Sequence, residues 1–470
     1  MARRGCQPTP EFPGDVYGIR FLLDTARSLK SNALLEHRRR LLDTIGHTIQ
    51  HRNFPDPFVT VMTDDPENVK AVLSTKFEDW NIPTIRIQSF LPVLGSHSIF
   101  TTNGPEWTHS RTILRPAFIR DQISDLGCFD RHIGKLIQRI RSAQGQPIDL
   151  QSLFSMLTTD SISDFMFGHT TNLLGTADPD ADALRFGVCF EASMHIIARK
   201  ARLGWLTLVL PDRELAAHTK FMRAFVAKYM AEVRAKHPDK VEEEVGKKKY
   251  VFLHELLKSG EPDDVIRDHL LSIFTAGRDT TTSVLSYLFY QLSQRPDVAS
   301  RIRGEIDALG GDGADPTWED LRNMKYLNWV IKEALRLNPP VAANQREAIR
   351  DTILPRGGGP TGDAPVFVAK GSNCRYQPWV IHRRKDIYGE DAEEFRPERW
   401  DSLRVTFEYI PFNAGPRICI GQQFALTQLA MITFRLLQAF PTIERRDDRP
   451  PIQRLGINTS MLHGTWVSMT

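Results

Sequence analysis

The chain has 470 residues, of which 41% are hydrophobic and 25% charged, with 60 Lys and Arg against 57 Asp and Glu. That apolar fraction can fill a large core, which excludes disorder as a description of the whole chain. A formal charge of +3 is close to neutral for so large a surface and excludes nucleic-acid binding by bulk electrostatics.

From the N-terminus, a basic stretch gives way to Cys6-Gln7-Pro8-Thr9-Pro10 rather than to an apolar run. No signal-peptide core and no run of about 18–20 apolar residues occurs, so the expectation is a soluble or at most membrane-peripheral protein. Cys6, Cys128, Cys189, Cys374 and Cys419 are scattered and form no Cys-x-x-Cys pair. That argues against a disulfide framework or zinc ribbon and for free thiols in a reducing compartment. Phe58 to Met62 reads as a strand. Ala235 to Tyr250 holds Glu242-Glu243-Glu244 and Lys247-Lys248-Lys249, the pattern of a solvated loop between helices.

The 3.6-residue spacing of Ile266, Leu270, Ile273 and Phe274 predicts a long helix over Pro262–Leu292. Inside it, Ala276-Gly277-Arg278-Asp279-Thr280-Thr281-Thr282 is poor helix chemistry, costing about 2 kcal/mol against alanine. Pro296 opens a further helix that ends before Gly310. Tyr326–Leu337 and Gln422–Phe440 are predicted helices, and Ala364–Ala369, after the loop from Gly357 to Gly362, is half of a small hairpin. About 150 residues per domain would suggest three domains. The lack of repeats and of a dividing linker favours one large, mainly α domain with small β-sheets.

The segment most informative about chemistry is Phe412-Asn413-Ala414-Gly415-Pro416-Arg417-Ile418-Cys419-Ile420-Gly421, which opens onto the last helix. A cysteine just before a helix N-terminus has its thiolate favoured by the dipole and by unpaired backbone N–H groups. Gly415 and Gly421 permit a tight turn, and Arg417 adds a positive charge two residues away. Such a loop suits a single-thiolate metal ligand. Glu333 and Arg336 share a helix face, which alone describes a surface ion pair. Trp107, four residues before Arg111, alone describes a core aromatic. The threonine run alone describes hydroxyls bonded to preceding carbonyls.

Phe412, Gly415, Arg417, Cys419 and Gly421 match at every position the Phe-x-x-Gly-x-Arg-x-Cys-x-Gly haem-binding loop of the cytochrome P-450 family, which the chain resembles over nearly its whole length. The resemblance implies a haem-thiolate monooxygenase with haem b bound through Cys419, where the thiolate favours O–O cleavage. It implies that Glu333, Arg336 and Arg399 form a buried ionic knot behind the haem loop. Trp107, Arg111, Arg346 and Arg417 would hold the haem propionates, with His109 and His382 as further candidates. Ala276-Gly277-Arg278-Asp279-Thr280-Thr281 resembles the family's oxygen-activation motif. There Gly277 would let the helix approach the haem and bulge, Thr280 would bond iron-bound oxygen, and Asp279 would relay protons.

Electrons would come from NADPH through a separate reductase, docking on the cysteine face near Arg383, Arg384 and Lys385. The implied organisation is a hinge-like lead-in over residues 1–30 and a haem domain over 31–470. The membrane anchor of microsomal relatives is absent from this chain, and the Cys6-Gln7-Pro8 segment is similar to the hinge that follows it. The expected setting is the cytosol-facing side of the endoplasmic reticulum membrane, as a monomer at the membrane surface with a lipophilic substrate. Ile99-Phe100-Thr101, the run Trp107 to Arg111, Leu354 to Pro360 and Pro411 to Leu426 resemble the fungal alkane- and fatty-acid-hydroxylating subgroup. That implies terminal or near-terminal oxidation of a long aliphatic chain. Ala342, Ala343 and Gln345 depart from the subgroup's proline and aromatics where the chain would lie over the haem. They keep open a tailoring oxidation of a polyketide or terpenoid secondary metabolite; a haem-thiolate isomerase or dehydratase is the third reading. The glycosylation match at Asn458-Thr459-Ser460 carries no weight on a cytosol-facing domain.

Overall fold

The computed structural model describes residues 5–13, 15, 17–52, 54, 58–118, 126–168, 170–175, 181–203, 212–236 and 252–470. Its longer helices are α1 (Ile19–Lys30), α2 (Leu34–Ile45), α3 (Thr84–Leu94), α4 (Gly104–Leu114), α5 (Gly127–Ser142), α6 (Leu150–Phe167), α7 (Ala181–Leu203), α8 (Arg213–Lys236), α9 (Asp263–Leu292), α10 (Pro296–Ala308), α11 (Lys325–Leu337) and α12 (Gln422–Ala439). The strands are short: β1 (Thr48–Arg52), β2 (Val59–Thr63), β3 (Trp80–Asn81), β4 (Ile148–Asp149), β5 (Asn344–Ala348), β6 (Thr352–Gly358), β7 (Ala364–Val368), β8 (Asn373–Tyr376), β9 (Ile443–Arg445), β10 (Gln453–Leu455), β11 (Thr459–Met461) and β12 (Trp466–Met469). The chain is mainly α with small sheets, as its sequence implies. The helices predicted at Pro262, Pro296, Tyr326 and Gln422 start within a residue of those positions.

The long helix α9 crosses the centre of the molecule. Pro262 caps it and Asp263 and Asp264 occupy its first turn, where carboxylates favour a helix N-terminus. Buried residues surround most of its length, so it is packed on several sides rather than amphipathic. Hydroxyls fix its position against four separate segments: Ser98 to Ser272 at 2.6 Å, Thr158 to Thr282 at 2.9 Å, Ser283 to Thr459 at 3.0 Å, and Thr465 Oγ1 donating to the Ser286 carbonyl at 3.0 Å.

The largest sheet runs in the order β1-β2-β8-β5-β3, with β2 and β8 parallel and the other neighbours antiparallel. One face packs on Val61, Val69, Leu73 and Cys374, the other on Ile49, Met62, Leu35 and Leu42 of a separate cluster. Ala342 is 1% exposed within that second cluster, so it is packing for α2 rather than lining over a haem.

The glycine-rich segment has a structural cause. It ends the β6–β7 hairpin, and a Cβ on Gly359, at φ +75°, would lie 2.1 Å from Gln7 Oε1. Gln7 N donates to the Pro365 carbonyl and Gly359 N to the Pro8 carbonyl, both at 2.9 Å, so the hairpin clasps the N-terminal segment. Phe12 and Phe21 are buried. Of the charged run, Ala235 and Lys236 end α8, and residues 237–250 lie outside the described residues.

Candidate active site

The loop before α12 is fixed by backbone constraint. Gly415 sits at φ +67°, and a Cβ there would fall 1.7 Å from the Leu73 carbonyl oxygen, so only glycine fits. Gly421 is different from expectation: its φ is −90°, and a Cβ would meet Phe118 at an ordinary 3.5 Å. Cys419 N donates to the Phe412 carbonyl at 2.9 Å, closing the loop. The Cys419 thiol carries accessible surface although protein surrounds it, which places it on an internal cleft. Burial pushes the thiol up, opposed by the Gly421 N–H and the Arg111 guanidinium. The charge acting on the sulfur is thus that of Arg111, not of Arg417.

Arg417 instead joins a cation cluster. Its guanidinium lies 4.3 Å from the Trp107 ring centroid, and Arg111 stacks on the same ring at 5.8 Å. Arg417 donates to the Thr102 carbonyl and to Asn103 Oδ1. Arg346 is buried, donating to Asn344 Oδ1 at 3.2 Å and to the Gln345 carbonyl at 2.8 Å. Arg86 of α3 donates to the same Asn344 Oδ1 at 2.8 Å. Burial, then Arg346, Arg86 and Arg111 in turn, bring Arg417 down to about 9. Burial and then Arg346 bring Arg86 to about 10. None of these four guanidiniums has a carboxylate partner among the described residues. A carboxylate-free cation cluster in low dielectric is costly unless an anion completes it. Beside a thiol at a helix N-terminus, that donor set fits the two propionates and the iron of haem.

The structure brings Trp107, Arg111, Arg346 and Arg417 into one cluster and adds Arg86, which stands in no motif. The two histidine candidates are elsewhere. His109 is exposed, with Nε2 3.0 Å from Glu261. His382 is fully buried, its Nε2 accepting from Ile410 N at 2.9 Å and its Nδ1 3.1 Å from the Arg336 carbonyl. Burial pushes it down to about 3.

The ionic knot is present. Glu333 and Arg336 are both 0% exposed. Glu333 accepts from Arg336 Nε (2.9 Å) and Nη2 (2.8 Å), Arg399 Nε (2.8 Å), Trp400 Nε1 (3.0 Å) and Arg396 N (3.0 Å). Arg336 continues to the carbonyls of His382, Ala392 and Glu394. The knot therefore ties α11 to the segment leading into the cysteine loop. Of the proposed docking cations, Arg383 is buried, donating to the Leu337 and Trp379 carbonyls and stacked 3.7 Å over Trp379. Arg384 pairs with Asp386, and Lys385 with Glu390.

Midway along α9, Ala276, Gly277, Asp279 and Thr280 keep accessible surface while residues on both sides are buried. Thr280 Oγ1 donates to the Ala276 carbonyl at 2.7 Å, leaving its lone pairs available as acceptors. The helix is continuous here, without a bulge. Gly277 faces α6 instead: a Cβ would meet Ile162 Cδ1 at 2.8 Å. Arg278 donates to Asp279 (3.1 Å), Ser155 (3.0 Å) and Thr159 (3.0 Å), and lies 3.8 Å from Glu191 of α7. Burial raises the Asp279 carboxyl and Arg278 opposes that shift.

A cavity of about 300 Å3 lies between the α1–α2 pair, α7 and the β10–β11 hairpin. Leu29, Leu34, Leu35, Ala198 and Leu455 give it an apolar lining, with His195 and Arg454 among its polar residues. No helix among the described residues is long and apolar enough to cross a membrane.

Comparison with known proteins agrees with this geometry. The family described as cytochrome P-450 matches residues 13–463. The chain is 40% identical over 474 residues to cytochrome P-450 monooxygenase himC of Aspergillus japonicus, covering 99% of this chain and 84% of that protein. It is 38% identical over 477 residues to cytochrome P-450 monooxygenase FPY7 of Fusarium mangiferae, covering 99% of this chain and 90% of the relative. It is also 36% identical over 488 residues to cytochrome P-450 52A13 of Debaryomyces hansenii, covering 100% of this chain and 93% of that protein. With the family matched across almost its full length, the chain belongs to the cytochrome P-450 monooxygenases.

Proposed function

We propose that the protein hydroxylates a long aliphatic chain at or near its terminus, with haem b held through Cys419. The observation that carries the haem assignment is the cation cluster: Arg86, Arg111, Arg346 and Arg417 need an anion beside the Cys419 thiol, and two propionates supply it. Bound haem iron, with thiolate ligation, supplies the oxygen-activating chemistry of the family. Trp107 completes the cradle by stacking under Arg417. Thr280 would offer hydroxyl lone pairs to the oxygen-activating centre, and Asp279 would hold a proton for delivery. Burial keeps the Asp279 carboxyl protonated to higher pH than usual, and Arg278 limits that shift. In this reading residues 1–30 serve as a hinge-like lead-in to a haem domain over residues 31–470. A separate NADPH-dependent reductase supplies electrons, and the monomer sits peripherally on the cytosolic face of the endoplasmic reticulum membrane.

The resemblance of Ile99-Phe100-Thr101, Leu354 to Pro360 and Pro411 to Leu426 to the fungal alkane- and fatty-acid-hydroxylating subgroup supports the aliphatic reading. A second reading, tailoring of an oxygenated secondary metabolite, is favoured by Glu191 and His195, which are exposed on the same face of α7. The test is a product assay with purified reductase over fatty acids, alkanes and polycyclic metabolites. Terminal hydroxylation of the aliphatic series supports the first reading, and turnover of polycyclic compounds alone overturns it. Product formed without NADPH consumption would instead establish an isomerase.

A further inference from the structure

The backbone bonds inside the cysteine loop, from Cys419 N to the Phe412 carbonyl and from Ile418 N to the Gly415 carbonyl, close it on itself without fixing it to the sheet. At its start Asn413 N donates to the Ile410 carbonyl at 3.1 Å, and the chain enters the left-handed region at Asn413, φ +62°. Asparagine is one of the few side chains that tolerate this conformation. Glycine would tolerate it too, but the amide here is used at both ends. Its Nδ2 donates to the Arg417 carbonyl across the loop at 3.2 Å, and its Oδ1 accepts from the Tyr376 hydroxyl at 2.9 Å.

Tyr376 comes from the sheet. It ends β8, is 0% exposed, and is in register with Asn344 of β5. Asn344 Oδ1 is the acceptor that Arg86 and Arg346 share, and the Arg346 guanidinium lies 5.9 Å from the Tyr376 ring centroid. Burial raises the Tyr376 phenol, and Arg346, Arg86 and Arg417 oppose that shift in this order, so the ring stands among the cations of the propionate cluster. Arg417 is consequently held at both ends. Thr102 and Asn103 take its guanidinium, and Asn413 takes its carbonyl, two residues before Cys419.

We infer that Tyr376 and Asn413 are a positioning pair for the haem site: they lock the loop that carries Cys419 to the strands that carry Arg346, so that the thiolate and the propionate cations keep one fixed separation. Neither residue touches the reacting atoms. The inference rests on the reading of Cys419 as the haem ligand. It adds two residues that stand outside the five matched positions of the loop.

The experiment compares holoenzymes by two readouts: the fraction of ferrous, CO-bound haem with the thiolate-type Soret band, and the rate of haem transfer to excess apomyoglobin. Tyr376→Phe removes only the hydroxyl. Asn413→Gly keeps the backbone conformation while deleting the amide. Each should speed haem transfer about 5–100-fold, the effect of leaving a buried donor or acceptor unpaired, and should lower the thiolate fraction. Asn413→Asp keeps the acceptor for Tyr376 and should lie between Asn413→Gly and the wild type. Adding Tyr376→Phe to Asn413→Gly should change little further, because both act on one contact. Fully additive effects overturn the inference. Wild-type values of both readouts in Tyr376→Phe also overturn it and leave the Cys419 reading standing. A lowered urea midpoint with both haem readouts unchanged shows a merely structural pair and overturns it as well. If Asn413→Gly does not accumulate as holoprotein, Tyr376→Phe decides. A wild type without the thiolate-type band overturns the Cys419 reading and the inference with it.

Discussion

Replacing Glu333 by alanine removes five acceptor contacts from a side chain with no exposed surface. Two guanidiniums and one indole N–H then lose their shared partner, and no water reaches Arg336, which is itself fully buried. Breaking a buried pair by deleting one member costs about 3–5 kcal/mol, chiefly because the surviving charge stays buried and uncompensated. Against a typical net stability of about 5–15 kcal/mol, that is a large fraction. The loss also falls on the connection to the cysteine loop, since Arg336 holds the His382 carbonyl and His382 holds Ile410 N. Purified Glu333→Ala should thus show a lowered urea midpoint and substoichiometric haem. Glu333→Gln, which keeps the shape and one acceptor oxygen, should lie between the two. The assay is urea unfolding followed by tryptophan fluorescence, with haem quantified on the same preparations. An alanine variant with wild-type midpoint and full haem would refute the argument that this carboxylate neutralises two buried cations.

Gly415→Ala should abolish holoprotein accumulation, because the backbone conformation alone costs about 1–3 kcal/mol and the Leu73 carbonyl blocks the methyl group. Gly421→Ala should accumulate normally, as immunoblot and Soret absorbance would record. Gly277→Ala should cost about 1–3 kcal/mol through overpacking, and Ile162→Val, which removes the Cδ1 atom, should restore the melting temperature. Thr280→Ala should retain substrate binding and first reduction while hydroxylated product per NADPH falls, since loss of a positioned proton-handling group costs about 10²–10⁴-fold; full coupling would make the threonine structural. For pH, His382 and His269 are held down to about 3 and about 4 by burial, from an ordinary value of 6.5. Both are therefore neutral when folded and take up protons on unfolding below pH 6.5. Their contribution to stability is complete above that pH and is lost as pH falls, by about 1.4 kcal/mol per unit for each histidine. Urea midpoints at pH 7, 6 and 5 should show the decline, and His382→Gln should flatten it.

Motifs that act within one turn or one loop were readable from the chain. Cys419 in its loop, Glu333 and Arg336 at three-residue spacing, and the bounds of α9 all depend on nearby residues. What was not readable depends on remote segments. Arg86 meets Asn344 across 258 positions, and no local pattern says that a guanidinium will lack a carboxylate. The same holds for Gly277, whose requirement comes from Ile162, and for the glycine-rich loop, whose requirement comes from Gln7. From the sequence Arg383 reads as a docking cation beside Arg384 and Lys385, and His382 as a propionate candidate. Their burial follows from the way Trp379 and Arg336 pack around them.

The hydroxyl contacts along α9 have a consequence for which parts of such a protein are free to vary. Apolar packing tolerates sliding and rotation, because one methyl contact substitutes for another, but a hydroxyl pair breaks within an ångström. Three such pairs and the Thr465 hydroxyl on the Ser286 carbonyl, reaching to four segments, act as pegs that fix the helix in height and rotation. Three of those segments lie away from the apolar cavity, whose lining comes from α1, α2, α7 and the β10–β11 region. Residues lining that cavity can therefore be exchanged while the stripe from Ala276 to Thr280 stays where it is. The molecule is divided into a pegged chassis around α9 and an apolar rim that can vary without moving it.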